Sequence, residues 1–134
     1  SYVLDTNAVS AIMVGDVRTV ARLRETPMAE VFVPQPVIAE LAYGISRLAR
    51  SKRKDTLRAH FESVRAVIAR VEWTDAVSEA FGGIKSELER RGTRIEDFDV
   101  AIAAHAVAHE AVLVTANVDH MIRVPGLRVQ DWSR

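Results

Sequence analysis

The sequence predicts an α/β fold, a three-layer sandwich in which a central parallel sheet is flanked by helices. Three observations support this prediction. Short aliphatic runs recur along the chain, most are followed by a segment with helical periodicity, and 49% of the 134 residues are hydrophobic, which is enough for one substantial core. Parallel strands need a crossover between them, and a helix usually provides it. We therefore expect a single domain over residues 1–134.

The first half of the chain alternates strand and helix patterns. The apolar run Tyr2 to Leu4 indicates a short buried strand, and a helical pattern from Asn7 ends at the turn of Gly15 and Asp16. The paired prolines that follow the second strand suit the first turn of a helix. The further predicted elements are a helix over 17–25, a strand over 31–33, a helix to about residue 50 and, after SKRKD, a helix over about 55–70.

The second half contains three more predicted strands. The segment VEW, residues 71–73, has the composition of a strand, and Thr74 or Asp75 can cap a helix that stops at Gly92. A helix rich in small residues follows. It covers DVAIAAHAVAHE, and two strands complete the sheet: AVLVT, and LRVQDW after the Pro125-Gly126 turn.

Composition excludes several classes of site. The chain has no cysteine, so disulfides, thiolate metal centres and cysteine nucleophiles are ruled out. Lysine plus arginine equals aspartate plus glutamate, 18 against 18, so the net charge gives no indication of a polyanionic partner. No apolar run approaches the roughly 20 residues that cross a bilayer. We expect a soluble cytoplasmic protein with no membrane contact.

Carboxylates fall where the predicted strands end or where helices border the core. Asp5 follows the first strand, Glu40 borders the apolar stripe of its helix, and Asp99 begins the helix rich in small residues. Each has an ordinary explanation when taken alone: a turn or cap, a buried ion pair, and a helix cap, respectively. Together they form an oxygen-rich cluster of the kind that Mg²⁺ or Mn²⁺ prefers, and such a metal supports phosphodiester hydrolysis without a protein nucleophile.

Positive charge is concentrated in two places despite the neutral total. One is a helix junction that includes Arg47 and Arg50. The other is the segment that contains Arg94, just before Asp97 and Asp99 in the sequence. Either could contact RNA phosphates or simply be a solvated helix face. Arg94 is the stronger candidate because it is close in sequence to the predicted site.

Four motifs in this order resemble the PIN-domain ribonucleases, and specifically the VapC toxins of bacterial type II toxin–antitoxin systems. The motifs are VLDTN, PVIAELAYG, FDVAIAAHA, and VLVTAN followed by VPGLRVQDWS. The resemblance covers essentially the whole chain. It implies a PIN-like sandwich and a magnesium-dependent endoribonuclease site at the strand ends.

The resemblance also implies roles for individual residues. Asp5, Glu40 and Asp99 match the metal-binding and catalytic carboxylates of the family. Supporting positions are Thr6 and Asn7 after the first aspartate, Thr115 at the end of the fourth strand, and Asp97 as a competitor of Asp99. One departure concerns the fourth acidic position. The loop reads TANVDHM, so that Asn117, Asp119 and His120 share the region and the fourth ligand stays open.

Partners are likewise implied by the resemblance. A VapB-type antitoxin is expected to cover an apolar groove and to insert a basic side chain into the acidic site. The toxin is expected to dimerise, and the complex to bind operator DNA only through the antitoxin. The expected substrate is RNA, with the anticodon loop of initiator tRNA as the first choice.

Two other functions are compatible with acidic residues at strand ends. A phosphoryl-accepting receiver domain would need a lysine after a late strand, and Lys52, Lys54 and Lys85 are not so placed. A PIN-like module with weak or no catalysis that binds RNA or a protein is the second alternative. Metal-dependent cleavage separates that module from a nuclease.

Overall fold

The computed structural model describes residues 1–134, and five short strands alternate with seven α-helices. The strands are β1 (Tyr2–Leu4), β2 (Val31–Pro34), β3 (Ala69–Val71), β4 (Val112–Val114) and β5 (Arg128–Gln130). The helices are α1 (Thr6–Met13), α2 (Val17–Glu25), α3 (Gln35–Ser46), α4 (Lys52–Val67), α5 (Asp75–Arg90), α6 (Asp97–Ala108) and α7 (Val118–Met121).

The strands form one sheet in the order β3-β2-β1-β4-β5, and every neighbouring pair is parallel. β1 is therefore central, with β2 on one side and β4 on the other. Its register with β4 pairs Leu4 with Val114, so the two strands end side by side. The predicted parallel sheet flanked by helices is confirmed.

The core lies on both sides of the central strands. Val3, Leu4 and Leu113 are fully buried, as expected for strands covered on both faces. In α6 every residue from 100 to 106 is buried, and most are alanine or valine, so this helix packs closely against its surroundings. α5 lies along α6, while α1 contacts α2, α3 and α4.

Side-chain caps begin four of the helices. Asp5, Asp16, Ser51 and Thr74 each accept a backbone N–H from the first turn of the helix that follows. Thr74, and not Asp75, is therefore the cap of α5. Gly92 adopts a φ of 70° directly after that helix, a conformation in which glycine avoids the steric penalty of a side chain.

Three predicted boundaries in the middle of the chain were wrong. α3 ends at Ser46 and does not reach residue 50, and α4 covers Lys52–Val67 instead of about 55–70. The physical reason is Ser51, whose hydroxyl caps Lys54 N at 3.1 Å and starts the helix within the basic SKRKD segment. β3 consequently occupies Ala69–Val71, two residues before the predicted strand over 71–73.

Three smaller differences concern the remaining elements. α6 starts at Asp97, so that both Asp97 and Asp99 lie in its first turn. The 3-10 turn Met28–Glu30 and the short helix α7 have no counterpart in the predictions. Both are single turns, too short to show a hydrophobic period. No helix is long and apolar enough to span a bilayer.

Phe61 of α4 provides a test of the core. Its ring is 0% exposed, and the guanidinium groups of Arg58 and Arg65 lie 5.6 and 5.2 Å from its centroid. We expect Phe61→Ala to lower the free energy of unfolding by about 3–5 kcal/mol, measured by urea denaturation, because it removes buried area and leaves a cavity. Phe98→Ala is the matched control. That ring is 48% exposed, so an equal loss in the control would contradict this account.

Candidate active site

The candidate site forms where β1 and β4 end next to each other. Asp5 directly follows β1 and Thr115 directly follows β4, and the Asp5 N–H donates to the carbonyl of Val114 at 3.0 Å. Ligands of open parallel sheets collect at these carboxyl ends, because loops and helix N-termini converge there. The parallel pairing thus places Asp5 beside Thr115 without any contribution from their side chains.

Asp5 has a structural role as well as a place in the site. One of its carboxylate oxygens accepts the N–H of Ala8 at 2.8 Å and caps α1, and the residue is 7% exposed. A capping bond of this kind uses one oxygen. The cap holds the carboxylate in position at the start of α1, so its orientation does not depend on a ligand.

Glu40 reaches the site from α3. The hydroxyl of Thr6, the first residue of α1, donates a hydrogen bond to Glu40 Oε1 across a separation of 34 residues. This bond ties α3 to α1 at the edge of the site. It also holds a partly buried carboxylate that has no cation within salt-bridge distance.

Asp99 completes the set from the first turn of α6. Five other predicted residues, from three separate parts of the chain, line one cavity of ≈ 220 Å³ together with Asp99. The residues that line this cavity, which we call the carboxylate cavity, are Asp5, Thr6, Asn7, Glu40, Asp99, Asn117 and Met121.

Burial and neighbouring carboxylates raise the pKa of two of the site residues, Asp5 and Asp99. Burial raises the pKa of Asp5 above its ordinary value, and repulsion from Asp99 and Glu40 adds to the rise, while the Thr115 hydroxyl and the Ala8 N–H act in the opposite direction. Burial also raises the pKa of Asp99, with Glu40 and Glu96 adding to the rise and His120 opposing it. Three carboxylates thus line a cavity that has no lysine, arginine or histidine among its lining residues.

A hard divalent cation fits this donor set. All polar side chains of the carboxylate cavity present oxygen or amide groups, which are ligands that Mg²⁺ accepts. No group of three or more carboxylate or imidazole side chains is arranged to hold a metal ion by itself. Mg²⁺ commonly uses one or two carboxylates and keeps several waters, so the arrangement is compatible with Mg²⁺ and not with a fully protein-ligated ion.

The other predicted acidic residues lie outside this cavity. Asp97 pairs with Lys85 at 3.1 Å. Asp119 is exposed and does not line the carboxylate cavity. Asn117 does line the carboxylate cavity, and its Oδ1 lies 2.9 Å from Nδ1 of His120. In the loop where the sequence left the fourth acidic ligand undecided, the cavity is thus lined by Asn117, which pairs with His120, and not by a carboxylate.

The three predicted RNA-binding arginines have different surroundings. Arg94 lines a second cavity of ≈ 550 Å³ together with Ile95, Glu96, Asp97, Asp99 and His120. Arg47 lines a third cavity of ≈ 300 Å³, which Thr6 and Glu40 also line. Arg50 is exposed and lines neither cavity. The structure therefore brings Arg94 and Arg47 to the edges of the site and leaves Arg50 outside it.

Sequence reasoning missed Glu96 and Met121 as lining residues. Met121 belongs to α7, a helix too short for a periodic pattern to reveal. Glu96 precedes Asp97 directly and has the appearance of a helix cap in the sequence. The signal that could have found Glu96 is its position between Arg94 and Asp99, two residues that were already candidates.

A parallel sheet with a carboxylate-lined cavity at the carboxyl ends of its strands matches the architecture of a known nuclease family, and residues 2–127 match the PIN domain. The chain belongs to the PIN domain family. Within that family it is a VapC-type toxin of the type II toxin–antitoxin class, and the predicted resemblance is confirmed.

The relatives and solved structures are consistent with this assignment. Ribonuclease VapC2 of Rickettsia felis is 32% identical over 73% of this chain and 71% of its own length. The tRNA(fMet)-specific endonuclease VapC of Salmonella typhimurium is 34% identical over 71% and 70%. The toxin in the crystal structure of VapBC2 from Rickettsia felis, bound to a DNA fragment from their promoter, superposes with a TM-score of 0.86 at 27% identity over 98% of both chains.

The electrostatic state of the site predicts a gain in stability when one charge is removed. A raised pKa means that folding disfavours the ionised Asp99, so the wild type loses stability as pH rises from about 4 through the raised pKa. Without divalent cations at neutral pH, we expect Asp99→Asn to raise the melting temperature by about 2–5 °C. The gain should shrink toward pH 4, where the wild-type carboxyl is already protonated.

Asp75→Asn is the matched control, because Asp75 also lies in the first turn of a helix but is exposed. No gain is expected for the control, which loses a favourable charge at a helix N-terminus. If thermal denaturation in EDTA shows Asp99→Asn to be no more stable than wild type at neutral pH, repulsion in the carboxylate cavity is not a significant cost.

Proposed function

We propose that this VapC-type ribonuclease hydrolyses RNA phosphodiester bonds with Mg²⁺, or with Mn²⁺ as a substitute, at the carboxylate cavity. The observation that carries the proposal is the convergence of Asp5, Glu40 and Asp99 from β1, α3 and α6 on one cavity with no lysine, arginine or histidine among its lining residues. Neither a serine–histidine pair nor a cysteine is needed for this chemistry.

Asp5, Glu40 and Asp99 would hold the metal, with water completing its coordination. When bound, Mg²⁺ supplies polarisation of the phosphate and a bound water of lowered pKa. A bound cation would also offset the burial and the repulsion that raise the pKa of Asp5 and Asp99, and so favour the ionised form of both carboxylates.

The neighbouring side chains position these carboxylates. The Thr6 hydroxyl holds Glu40, and the N–H of Ala8 holds Asp5. Thr115 lowers the pKa of Asp5 and its own Oγ1 accepts the N–H of Asn117 at 2.9 Å, which orders the loop after β4. Asn7 and Asn117 line the cavity with amide groups and can orient water or a phosphate oxygen.

The proposed substrate is tRNA, with the anticodon loop of initiator tRNA as the first candidate. A relative that is 34% identical over 71% of this chain is named a tRNA(fMet)-specific endonuclease. Arg94 lines a cavity with Asp99 and Arg47 lines one with Glu40, so both can contact phosphates near the cleaved bond, and Arg50 can extend that contact.

A VapB-type antitoxin is the proposed inhibitor, since several structural neighbours are VapBC complexes. An apolar groove of ≈ 260 Å³ between α1, α2 and α4 fits an amphipathic segment of such a partner. The third cavity, with Arg47 and Glu40, shares Met13 with this groove, so a basic side chain of the bound antitoxin could reach Glu40. The homodimer and the contact with operator DNA through the antitoxin stay predictions.

A PIN-like module that binds RNA or a protein without cleaving is the alternative. The observation in its favour is that no three carboxylate or imidazole groups are preassembled around one ion. The two functions differ in whether RNA is cut when Mg²⁺ is present.

Cleavage of a total tRNA pool by antitoxin-free protein tests the proposal. We expect discrete fragments with Mg²⁺ or Mn²⁺ and none with EDTA, detected by denaturing electrophoresis and end sequencing. Asp5→Asn keeps an oxygen that can cap α1 but removes a charge from the metal site, so cleavage should fall by roughly 100-fold or more.

Asp75→Asn, which removes a charge from outside the described cavities, serves as the control and should cleave like wild type. Equal activity of Asp5→Asn and wild type would refute the catalytic role of the carboxylate cavity. Metal-independent fragments would do the same, and binding of RNA without cleavage of any RNA would favour the alternative.

The antitoxin groove is tested by adding a charge at its edge. Val67 lines the groove and is 61% exposed, and we expect Val67→Glu to weaken the complex with the co-expressed antitoxin on the order of tenfold, because a carboxylate would be buried against an apolar helix. Val17→Glu on α2, at a side chain 81% exposed and outside the groove, is the control. Calorimetric titration measures both, and equal affinities would place the antitoxin elsewhere.

A further inference from the structure

The second cavity, of ≈ 550 Å³, adjoins the carboxylate cavity and differs from it in chemistry. Asp99 lines both, so a ligand in one lies next to a ligand in the other. The second cavity combines a guanidinium, an imidazole and carboxylates, and Ile95 is its one apolar lining residue. Its volume is within the range of small-molecule binding pockets.

The acidic residues of this cavity have distinct partners. Asp97 is neutralised by Lys85 at 3.1 Å, and Asp99 faces the carboxylate cavity. Glu96 stands at the N-cap of α6, but its side chain caps no backbone N–H and forms no salt bridge. Glu96 is therefore the one carboxylate of this cavity that has no protein partner and is not part of the proposed metal site.

Arg94 is the complementary group. It lies two residues before Glu96, lines the same cavity, and has one carboxylate within 4.0 Å, that of Glu89 at the limit of that distance. Most of its five N–H donors are thus available. A free carboxylate and a largely free guanidinium in one cavity can together bind a group that carries both donors and acceptors.

The walls of the cavity are held from three sides. Arg123 donates to the carbonyl of Arg94 at 3.5 Å, Lys85 holds Asp97 from α5, and Asn117 holds the ring of His120. The contacts of Arg123 and Lys85 hold the segment from residue 94 to the start of α6, and the contact of Asn117 holds the loop after β4. The cavity is therefore largely preformed, which lowers the entropic cost of binding.

We propose that this second cavity is a base-binding subsite that selects an unpaired guanine adjacent to the cleaved phosphate. The inference rests on the proposed ribonuclease function and names a determinant of its specificity. Guanine presents two adjacent donors, N1–H and the 2-amino group, which a carboxylate such as Glu96 accepts together. It also presents O6 and N7, the acceptors that arginine recognises in pairs.

Other bases match the cavity less well. Adenine presents an acceptor at N1 next to its amino group, so one oxygen of Glu96 would face a lone pair. Cytosine offers a single amino donor beside the acceptor N3, and uracil offers N3–H between two carbonyls. Proteins read such edges in single-stranded RNA, where the bases are unpaired.

The test uses short unstructured oligoribonucleotides that are identical except for one central guanine, inosine or adenine. Inosine keeps O6, N7 and N1–H but lacks the 2-amino group. With Mg²⁺ we expect wild type to cut next to guanine about tenfold faster than next to adenine, with inosine between them. The Glu96→Gln variant should lose this discrimination, measured as the ratio of its two cleavage rates, so that a general change in its activity cancels.

Glu25→Gln is the matched control, since Glu25 is exposed at the end of α2 and lines neither cavity that contains Asp99. It should discriminate like wild type. Fluorescence anisotropy with the Asp5→Asn variant measures the same preference as binding of uncleaved RNA, which separates the subsite from catalysis.

The outcomes distinguish the two proposals. Equal cleavage beside guanine and adenine, or discrimination that survives in Glu96→Gln, overturns the subsite and leaves the nuclease intact. If no RNA is cleaved, the proposed function is overturned. The subsite is then tested only by whether the protein binds guanine-containing RNA more tightly in the anisotropy measurement. Cleavage with a preference that Glu96→Gln abolishes supports both.

Discussion

The site depends on the concentration of carboxylates at the adjoining ends of two parallel strands. β1 is central in the sheet and ends beside β4, so the residues that follow both strands must share one rim. Asp5 stands there under the cover of α1, and α3 and α6 add Glu40 and Asp99 to the same cavity. Burying several like charges together is costly, and the raised pKa of Asp5 and of Asp99 is the direct expression of that cost.

The surrounding fold keeps these charges in place by local hydrogen bonds. The cap on α1 holds Asp5, and Thr6 on the same helix holds Glu40, so one short helix orders two of the three carboxylates. The apolar packing of α6 fixes the helix that carries Asp99. Stability supplied by the core thus offsets an unfavourable electrostatic arrangement, as is common where function requires a strained or charged site.

Much of the fold was predictable because its signals are local. Apolar runs separated by helical periods predicted five strands, with the third displaced by two residues, and the residues that start and stop the helices predicted the bounds of α2 and α5. The errors occurred where a single side chain decides a boundary, as Ser51 does for α4, or where an element is one turn long, as α7 is. The candidate carboxylates were predictable from their positions at strand ends and helix borders. The Asn117–His120 pair and the free side chain of Glu96 were not, because each depends on which neighbour a side chain meets.

By itself the sequence determined the class of fold, the identity of the three principal carboxylates and the absence of thiol chemistry, since these follow from residue types and their periodic spacing. Tertiary structure decided which of the polar residues share a cavity. Asp97 and Asp119 are aspartates like Asp99, yet Asp97 is paired with Lys85 and Asp119 is exposed outside both cavities that contain Asp99. The physical reason is that the proximity of residues far apart in the chain is set by strand order and helix packing, and no local pattern encodes these distances.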